Sequence, residues 1–295
     1  MKVFLTGATG YIGSSVAERL RQSGHTVLGL ARSGAAAEKL TARGIMPQAG
    51  DLSDRAALTA AASAADAVIH AASTNDAGAP AADLSAVEAL LEVLRGGNKP
   101  LIYTSGVWIL GNTGNQSGDE DIPLDPLPTV AWRVPVERLI LTSAAQQVRS
   151  AIIRPAIVYG RAGGIPAMML AGARSHGVVQ YVGDGAQRWP TVHIDDLADL
   201  YLRVLTGGGA GTLWHAAHGP STPAREIAVA VSQVAGLGGK AESWPVGEAR
   251  RTLGSLADAM ALDQQMSGKR AERLLGWKPV GRSVLEEIIR GSYAD

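Results

Sequence analysis

Three glycines near the start of the chain lie three residues apart and could hold a phosphate group. Residues 6–13 read TGATGYIG and directly follow the apolar residues 3–5. The next residues place Ile12, Val16 and Leu20 on one face of a helix. Where a strand is followed by a glycine turn and the beginning of a helix, backbone N–H groups and the positive end of the helix dipole face a bound anion. We therefore predict a dinucleotide site that includes Thr6, Gly7, Gly10, Tyr11, Ile12 and Gly13.

The alternative is a glycine-rich turn without a ligand, since the chain contains 36 glycines. A second strand at the expected distance favours the dinucleotide site. The end of that strand indicates which dinucleotide binds, because an NAD-specific site needs an acid there. Here the strand ends Leu30-Ala31 and is followed by Arg32 and Ser33.

Arg32 and Ser33 offer groups that suit a phosphate. The guanidinium of Arg32 is a planar fork of donors, and Ser33 adds a hydroxyl. We therefore predict NADP(H) as the cofactor. The alternative is that Arg32 is a solvated loop residue.

Asp51 and Leu52 follow the third predicted strand. The Asp51 carboxylate could reach the adenine amino group of a dinucleotide. It could equally form a turn or cap for the helix that Ser53 and Asp54 begin. The two roles are compatible, and both stay open.

The elements that position these residues alternate along the first half of the chain. The apolar runs predict strands at residues 3–6, 26–31, 46–49, 67–71, 101–104 and 151–154. Helical segments are predicted between them at 10–22, 35–43, 54–62, 84–94 and 130–146. Alternating strands and helices indicate an α/β fold, a Rossmann doubly wound parallel sheet. Its ligands are expected at the carboxyl ends of the strands.

The second half of the chain breaks this alternation. Residues 160–186 are predicted to be loop-like around a short helix at 166–175. A helix at 193–205 and a strand at 212–216 precede a mostly helical tail. We predict a smaller, mixed α/β C-terminal substrate domain. Residues 1–160 with about 191–216 would form the NADP-binding domain, and 161–190 with 217–295 the substrate-binding domain.

Composition excludes several classes of partner. Lys+Arg and Asp+Glu both number 27, so nucleic acid and acidic membranes are not expected as partners. The chain has no cysteine, no visible signal peptide and no apolar run of membrane-spanning length. No metal is expected, because His215 and His218 lack a third ligand nearby and the position of His193 suits a helix cap. These features predict a soluble, cytoplasmic protein with a small-molecule substrate.

Several motifs together resemble the extended short-chain dehydrogenases/reductases, which include NDP-sugar epimerases, dehydratases and related reductases. They are the glycine loop, Asp51-Leu52, IHAA at 69–72, RPAIVYG at 154–160, VHIDDLA at 192–198 and LLGWKP at 274–279. The resemblance covers essentially the whole chain. It implies further cofactor contacts from Ala71, Ala72, Ser73, Thr104, Arg133, Pro155, Ala156, Ile157 and Val158.

The catalytic residues of that family are replaced in this chain. The family uses a Ser or Thr, a Tyr and a Lys, with an Asn upstream. The hydroxyl position falls on Gly106, one residue after Ser105, and the Tyr and Lys positions fall on Thr129 and Arg133. The Asn position falls on Asp83. We therefore name Ser105, Thr129, Arg133 and Asp83 as the catalytic candidates.

The replacements change the available chemistry. Arg133 keeps a positive charge and could hold the nicotinamide ribose, but its pKa is too high for proton exchange. Thr129 cannot replace a Tyr acid, because an aliphatic hydroxyl is far less acidic than a phenol. Trp108 and Trp132 could form a wall of the nicotinamide or substrate site, or they could pack in the core.

Three functions are consistent with this pattern. The first is an NADPH-dependent reductase of a carbonyl or imine, with the proton supplied by another group or by water. The second is an NDP-sugar epimerase or dehydratase, and the missing Tyr counts against it. The third is an NADP(H)-binding redox sensor without catalysis, which the replaced residues favour.

The resemblance also implies a homodimer formed by the helices at 84–94 and 130–146. The apolar stripe of Leu84, Val87, Leu91 and Leu94 could serve that interface or face the sheet.

Overall fold

A computed structural model of the chain describes residues Met1–Ala294. Asp295, the last residue of the predicted substrate-binding domain, lies outside the described residues. The chain forms two compact units. The first unit comprises Met1–Ser105, Trp132–Arg154 and Ala198–Trp214, and the second comprises Gly106–Ala131, Pro155–Leu197 and His215–Asp295.

Thirteen strands are present in the described residues. They are β1 (Lys2–Thr6), β2 (Thr26–Ala31), β3 (Met46–Ala49), β4 (Ala67–His70), β5 (Pro100–Thr104), β6 (Arg149–Pro155), β7 (Ile157–Gly160), β8 (Val179–Val182), β9 (Arg188–Trp189), β10 (Thr191–His193), β11 (Thr212–Ala216), β12 (Thr222–Pro223) and β13 (Ala241–Trp244). All six strands predicted for the first half are confirmed, with ends that differ by two residues at most.

The helices between Met1 and Ala294 number twelve, apart from two short 3-10 turns at Val107–Leu110 and Ser143–Gln146. They are α1 (Tyr11–Gln22), α2 (Gly34–Ala42), α3 (Arg55–Ser63), α4 (Ala79–Leu94), α5 (Arg133–Thr142), α6 (Gly164–His176), α7 (Ile194–Gly207), α8 (Ala224–Val234), α9 (Val246–Leu253), α10 (Leu256–Met260), α11 (Lys269–Leu275) and α12 (Val284–Arg290). In the described part of the chain, no helix is both long and apolar enough to cross a membrane.

The first unit is built on a seven-stranded sheet in the order β11-β6-β5-β4-β1-β2-β3. The strand β1 pairs in parallel with both β2 and β4, and β5 pairs in parallel with β4 and β6. The order of the strands therefore reverses between β1 and β4. In such a sheet the ligand crevice opens at this reversal, outside the carboxyl ends of the strands. The carboxyl-terminal residues Thr6 and His70 are paired there.

One hydrophobic core of the first unit packs strands of the sheet with the helices α3, α4 and α5. Its buried members include Phe4, Val68 and Tyr103 on the strands and Leu90 and Ile140 on the helices. Fixing these helices against the sheet also fixes the residues at their ends. Removing this apolar surface from water provides the main stabilisation.

The apolar stripe of α4 belongs to this core. Val87, Leu91 and Leu94 are buried in it, whereas Leu84 is 40% exposed. The stripe is therefore buried within the first unit along most of its length. The homodimer stays a prediction.

Two helix predictions differ from the structure at their ends. The helix predicted at 84–94 begins five residues earlier, at Ala79, with a proline in its first turn, a position where proline is favoured. The helix predicted at 130–146 begins at Arg133 and ends in the 3-10 turn Ser143–Gln146. Arg133 is therefore the first residue of α5.

The second unit contains strands that the sequence did not reveal. The segment predicted to be loop-like contains β8, which pairs in parallel with β13 in the tail predicted to be mostly helical. The prediction was wrong here because both strands have only four residues, and short apolar runs carry little periodicity. Two further pairs, β7 with β10 and β9 with β12, complete the strands of this unit.

Candidate functional site

The glycine loop packs helix α1 directly against the end of β1. Gly7 has φ +76°, a conformation that L side chains rarely adopt, and a Cβ there would lie 2.5 Å from the Ala71 carbonyl oxygen. A Cβ on Gly13 would lie 2.1 Å from the Gly7 carbonyl oxygen. The N-cap residue Gly10 offers no side-chain cap, and the first turn of α1 contains no acid. The positive end of the helix dipole of α1 therefore has no acidic side chain beside it in the first turn, as the predicted phosphate cradle requires.

This loop opens onto a cavity of about 690 Å³ within the first unit. That volume is in the range of small-molecule and cofactor sites. The cavity brings together fourteen of the predicted site residues: Gly7, Gly10, Tyr11, Ile12, Gly13, Arg32, Asp51, Leu52, Ala71, Ala72, Ser73, Thr104, Ser105 and Arg133.

Other lining residues were not among the predicted cofactor contacts. They are Thr9, Leu30, Ala36, Gly50, Ser53, Thr74, Asn75 and Ala82. Most of them follow the carboxyl end of a strand or belong to the helix turn that comes next. A list of the residues after each predicted strand would have found these, because ligands of parallel sheets bind at that edge.

Several predicted site residues do not line the cavity. Thr6, Ser33 and Asp83 belong to the first unit but lie outside the lining. Thr129 and residues 155–158 lie in the second unit, and so does Trp108. The parts that these residues play in the site stay predictions.

Arg32 and Asp51 are charged residues that line the cavity where the neighbouring strands β2 and β3 end. Arg32 is exposed and directly follows β2. The Ser33 hydroxyl caps α2 by accepting a hydrogen bond from the Ala36 amide at 3.2 Å. Asp51 Oδ1 accepts hydrogen bonds from the Ser53 hydroxyl at 2.6 Å and the Ser53 amide at 2.8 Å, which lower the pKa of the carboxyl group. Asp51 thus forms a turn before α3 and also lines the cavity, so the two predicted roles coexist.

Thr104, Ser105 and Arg133 lie together where β5 ends and α5 begins. Arg133 Nη1 donates to the Thr104 carbonyl oxygen at 3.2 Å. The guanidinium carbon lies 4.4 Å from the ring centroid of Trp132, a cation–π contact. Trp132 therefore orients Arg133. Ser105 is 8% exposed, and its hydroxyl has no hydrogen-bond partner.

A buried chain of polar groups runs behind the cavity. Tyr103 Oη lies 2.8 Å from Asp83 Oδ2 and 3.1 Å from Arg133 Nη1. His70 Nε2 lies 3.2 Å from Asp83 Oδ1, and His70 Nδ1 lies 2.8 Å from the Thr6 hydroxyl. Burial raises the pKa of Tyr103, an effect that the Arg133 charge opposes and the Asp83 charge reinforces. The phenol therefore stays protonated.

A second buried contact fixes helix α5, which Arg133 begins. The Glu137 carboxylate accepts hydrogen bonds from Arg154 Nε at 3.0 Å and from Nη2 at 2.6 Å. Both side chains are 4% exposed. This pair ties α5 to β6, so the backbone at Arg133 is held on the sheet.

The side chains that line the cavity determine which ligand groups it can bind. It contains guanidinium groups, hydroxyls and one carboxylate, but no His, Lys or Glu. Anion binding and hydrogen bonding to an oxygen are therefore well supported by these groups. Within residues 1–294, no three His, Cys, Asp or Glu side chains are grouped to hold a metal ion.

Comparisons with known proteins agree with this fold. The sequence model of the NAD dependent epimerase/dehydratase family matches residues 3–217. An uncharacterized protein of Schizosaccharomyces pombe is 34% identical, covering 99% of this chain and 100% of that protein. A 2-alkyl-3-oxoalkanoate reductase of Stenotrophomonas maltophilia is 26% identical, covering 77% of this chain and 73% of that protein.

Among solved structures, a dTDP-glucose 4,6-dehydratase of Streptomyces venezuelae with NAD bound aligns with a TM-score of 0.83. It is 20% identical, and the alignment covers 99% of this chain and 96% of that chain, which shows a shared fold. The family match spans the glycine loop, Arg133 and the motif at 154–160. The chain is therefore an atypical, extended-like short-chain dehydrogenase/reductase and belongs to the NAD dependent epimerase/dehydratase family.

Proposed function

We propose that this protein is an NADP(H)-dependent oxidoreductase that reduces a carbonyl or imine group of a small molecule. The observation that carries the proposal is the Ser105 hydroxyl. It is buried, has no hydrogen-bond partner, and lines the same cavity as the glycine loop. A buried hydroxyl without a partner is costly unless a ligand supplies the missing bond. A carbonyl oxygen or an imine nitrogen is an acceptor of the right kind.

The residues present fit a nicotinamide dinucleotide. Side chains at Gly7 and Gly13 would collide with backbone atoms, so the loop keeps the close packing that a pyrophosphate cradle needs. Arg32 supports NADP(H) over NAD, because its guanidinium would pair with the 2′-phosphate at the carboxyl end of β2. Asp51 would accept from the adenine amino group.

The chain's own residues would bind and polarise the reacting groups. When bound, the reduced cofactor supplies a hydride from C4 of the nicotinamide. Arg133 would hold the nicotinamide ribose, as the family's lysine position implies. Ser105 would donate a hydrogen bond to the carbonyl oxygen of the substrate. With no His or Lys in the lining, we propose that water supplies the proton that this oxygen takes up.

The likeness to a reductase of 3-oxoalkanoates supports reduction of a ketone. Epimerisation and dehydration are less well supported, because they oxidise the substrate and then reduce it again at one site. That sequence depends strictly on a Tyr acid and base. Here Thr129 and Arg133 occupy the Tyr and Lys positions of the family.

A second candidate function rests on the same replacement. Without the Tyr-x-x-x-Lys pair, the protein would act as a redox sensor that binds NADP(H) and passes its conformation to a partner. One assay separates the two functions. The protein is saturated with NADPH, and ketones, imines and nucleotide sugars are screened for loss of the nicotinamide absorbance. Turnover of a ketone or imine supports the reductase, whereas tight binding with no turnover supports the sensor.

A further inference from the structure

We propose that Asp83 and Tyr103 are positioning residues that hold the Arg133 guanidinium at the cavity, with His70 fixing the Asp83 carboxylate. This inference rests on the proposed binding of a nicotinamide dinucleotide. It gives Asp83 a different role from the catalytic one that the resemblance implied. Asp83 is 2% exposed and lies outside the cavity lining, so it acts on the site through Tyr103.

The direction of each hydrogen bond follows from the groups involved. A carboxylate only accepts, so the Tyr103 hydroxyl donates to Asp83 Oδ2 at 2.8 Å. The phenol oxygen is then an acceptor for Arg133 Nη1 at 3.1 Å. Arg133 Nη1 also donates to the Thr104 carbonyl oxygen at 3.2 Å. Both acceptors bond the same nitrogen, Nη1, so the N–H groups on Nε and Nη2 can donate to a ligand.

The other end of the chain of contacts fixes Asp83. The Asp83 carboxylate only accepts, so His70 Nε2 carries a proton and donates to Oδ1 at 3.2 Å. In a neutral imidazole the other nitrogen is an acceptor, so His70 Nδ1 accepts from the Thr6 hydroxyl at 2.8 Å, and the oxygen of that hydroxyl accepts from the Ala71 amide at 3.2 Å. Both oxygens of Asp83 thus have donors, as a buried carboxylate requires.

This arrangement predicts a selective effect on cofactor binding. Arginine has a long, flexible side chain, and holding it in place before binding lowers the entropic cost of binding. Loss of the Tyr103 hydroxyl should weaken any ligand that reaches Arg133. It should not weaken a ligand that ends at the phosphates beside Arg32.

The test compares two ligands by calorimetry on the full-length Tyr103→Phe variant. NADPH reaches the nicotinamide ribose, whereas adenosine 2′,5′-bisphosphate lacks that half of the cofactor. We expect NADPH binding to weaken about tenfold, the value of one hydrogen bond to a charged group. Binding of the bisphosphate should stay within about twofold of wild type, since its contacts are unchanged.

Three further variants control this result. Tyr201 is also fully buried, but its hydroxyl bonds the Thr104 side chain at 2.6 Å, so Tyr201→Phe should leave NADPH affinity within about twofold. Asp83→Asn keeps an acceptor oxygen for Tyr103, and its amide can donate to the other tautomer of His70. We expect Asp83→Asn to bind NADPH nearly as wild type does, and Asp83→Leu to lose at least as much affinity as Tyr103→Phe.

The outcomes are distinct. Equal NADPH binding by wild type and Tyr103→Phe would overturn the positioning role and leave the proposed function intact. A parallel loss of both ligands in Tyr103→Phe would also overturn it, because the effect would then not be confined to the ligand that reaches Arg133. Failure of wild type to bind either NADPH or NADH would overturn the proposed function, and this inference with it. If Asp83→Leu does not fold, the Tyr103→Phe comparison decides alone.

Discussion

Gly13 approaches Gly7 so closely that a Cβ on Gly13 would lie 2.1 Å from the Gly7 carbonyl oxygen. This distance is far below van der Waals contact, and the atom in the way is backbone. Helix α1 can therefore start where it does only if residue 13 is glycine. The spacing of the glycine loop is thus required for packing, independently of the phosphate cradle that we propose there.

The first prediction follows from this contact. Gly13→Ala should destabilise the protein by about 2 kcal/mol, the cost of overpacking, and should abolish NADPH binding by moving α1 off β1. Denaturant unfolding and an NADPH titration measure the two effects. The matched control is Gly34→Ala at the start of α2, where an added Cβ meets nothing within 4 Å. A Gly13→Ala protein with wild-type affinity would show that the loop does not cradle the cofactor.

The second prediction concerns the choice of cofactor. Arg32→Glu should weaken NADPH binding by at least about tenfold, because a carboxylate replaces the guanidinium that we propose pairs with the 2′-phosphate. NADH binding should change much less. Arg43→Glu, an exposed arginine outside the cavity lining, controls for the change in net charge. Equal loss of both dinucleotides would contradict the assignment of NADP(H).

The third prediction concerns the buried hydroxyl of Ser105. Ser105→Ala should lower kcat/KM by about tenfold or more, because the proposed donor to the substrate oxygen is lost, while NADPH affinity is kept. The variant should unfold at the same denaturant concentration as wild type, since no hydrogen bond within the protein is removed. Steady-state kinetics measure the change in kcat/KM, and a denaturant unfolding curve measures the stability.

Ser150 provides the control for Ser105. Its hydroxyl is also buried without a partner, but it lies on β6 outside the cavity lining. Ser150→Ala should therefore leave turnover unchanged. If Ser105→Ala and Ser150→Ala have the same kinetics, the substrate does not use Ser105.

The fourth prediction concerns the buried pair of Glu137 and Arg154. Arg154→Met should lower the free energy of unfolding by about 3 kcal/mol or more, because it leaves the Glu137 carboxylate buried without its partner. Arg55→Met breaks an ion pair with Glu92 whose side chains are 48% and 59% exposed. That control should cost less than about 1 kcal/mol. Similar losses in the two variants, measured by urea unfolding, would show that the buried pair does not anchor α5.

The first unit could be predicted from sequence because its signals are local. The run of β1, the glycine loop and the face of α1 lie within residues 2–22, and the strands through β6 alternate with helices in the same way. The ends of those strands then identify most of the cavity, including Arg32, Asp51 and Ser105. Each of these inferences needs only neighbouring residues and the rule for ligands at a parallel sheet.

The remaining features depend on contacts between distant residues. The pairing of β8 with β13 joins four-residue strands about sixty positions apart, and neither has a strong pattern of its own. Asp83 was identified by its position in the family pattern. Its partners His70 and Tyr103 come from the strands β4 and β5, and no spacing in the sequence reveals the hydrogen bonds that they make to Asp83. The family pattern predicts Asp83 in the site, whereas in the structure Asp83 is buried on α4 and does not line the cavity.

The most direct test of the central claim is transfer of hydride from NADPH to a ketone. NADPH labelled with deuterium at C4 is mixed with the protein and a 3-oxo acid or ester, and the alcohol product is analysed by mass spectrometry and NMR. We expect oxidation of NADPH with deuterium on the former carbonyl carbon, and a lower rate in Ser105→Ala. Tight binding of labelled NADPH without transfer to any ketone or imine would contradict the assignment as a reductase.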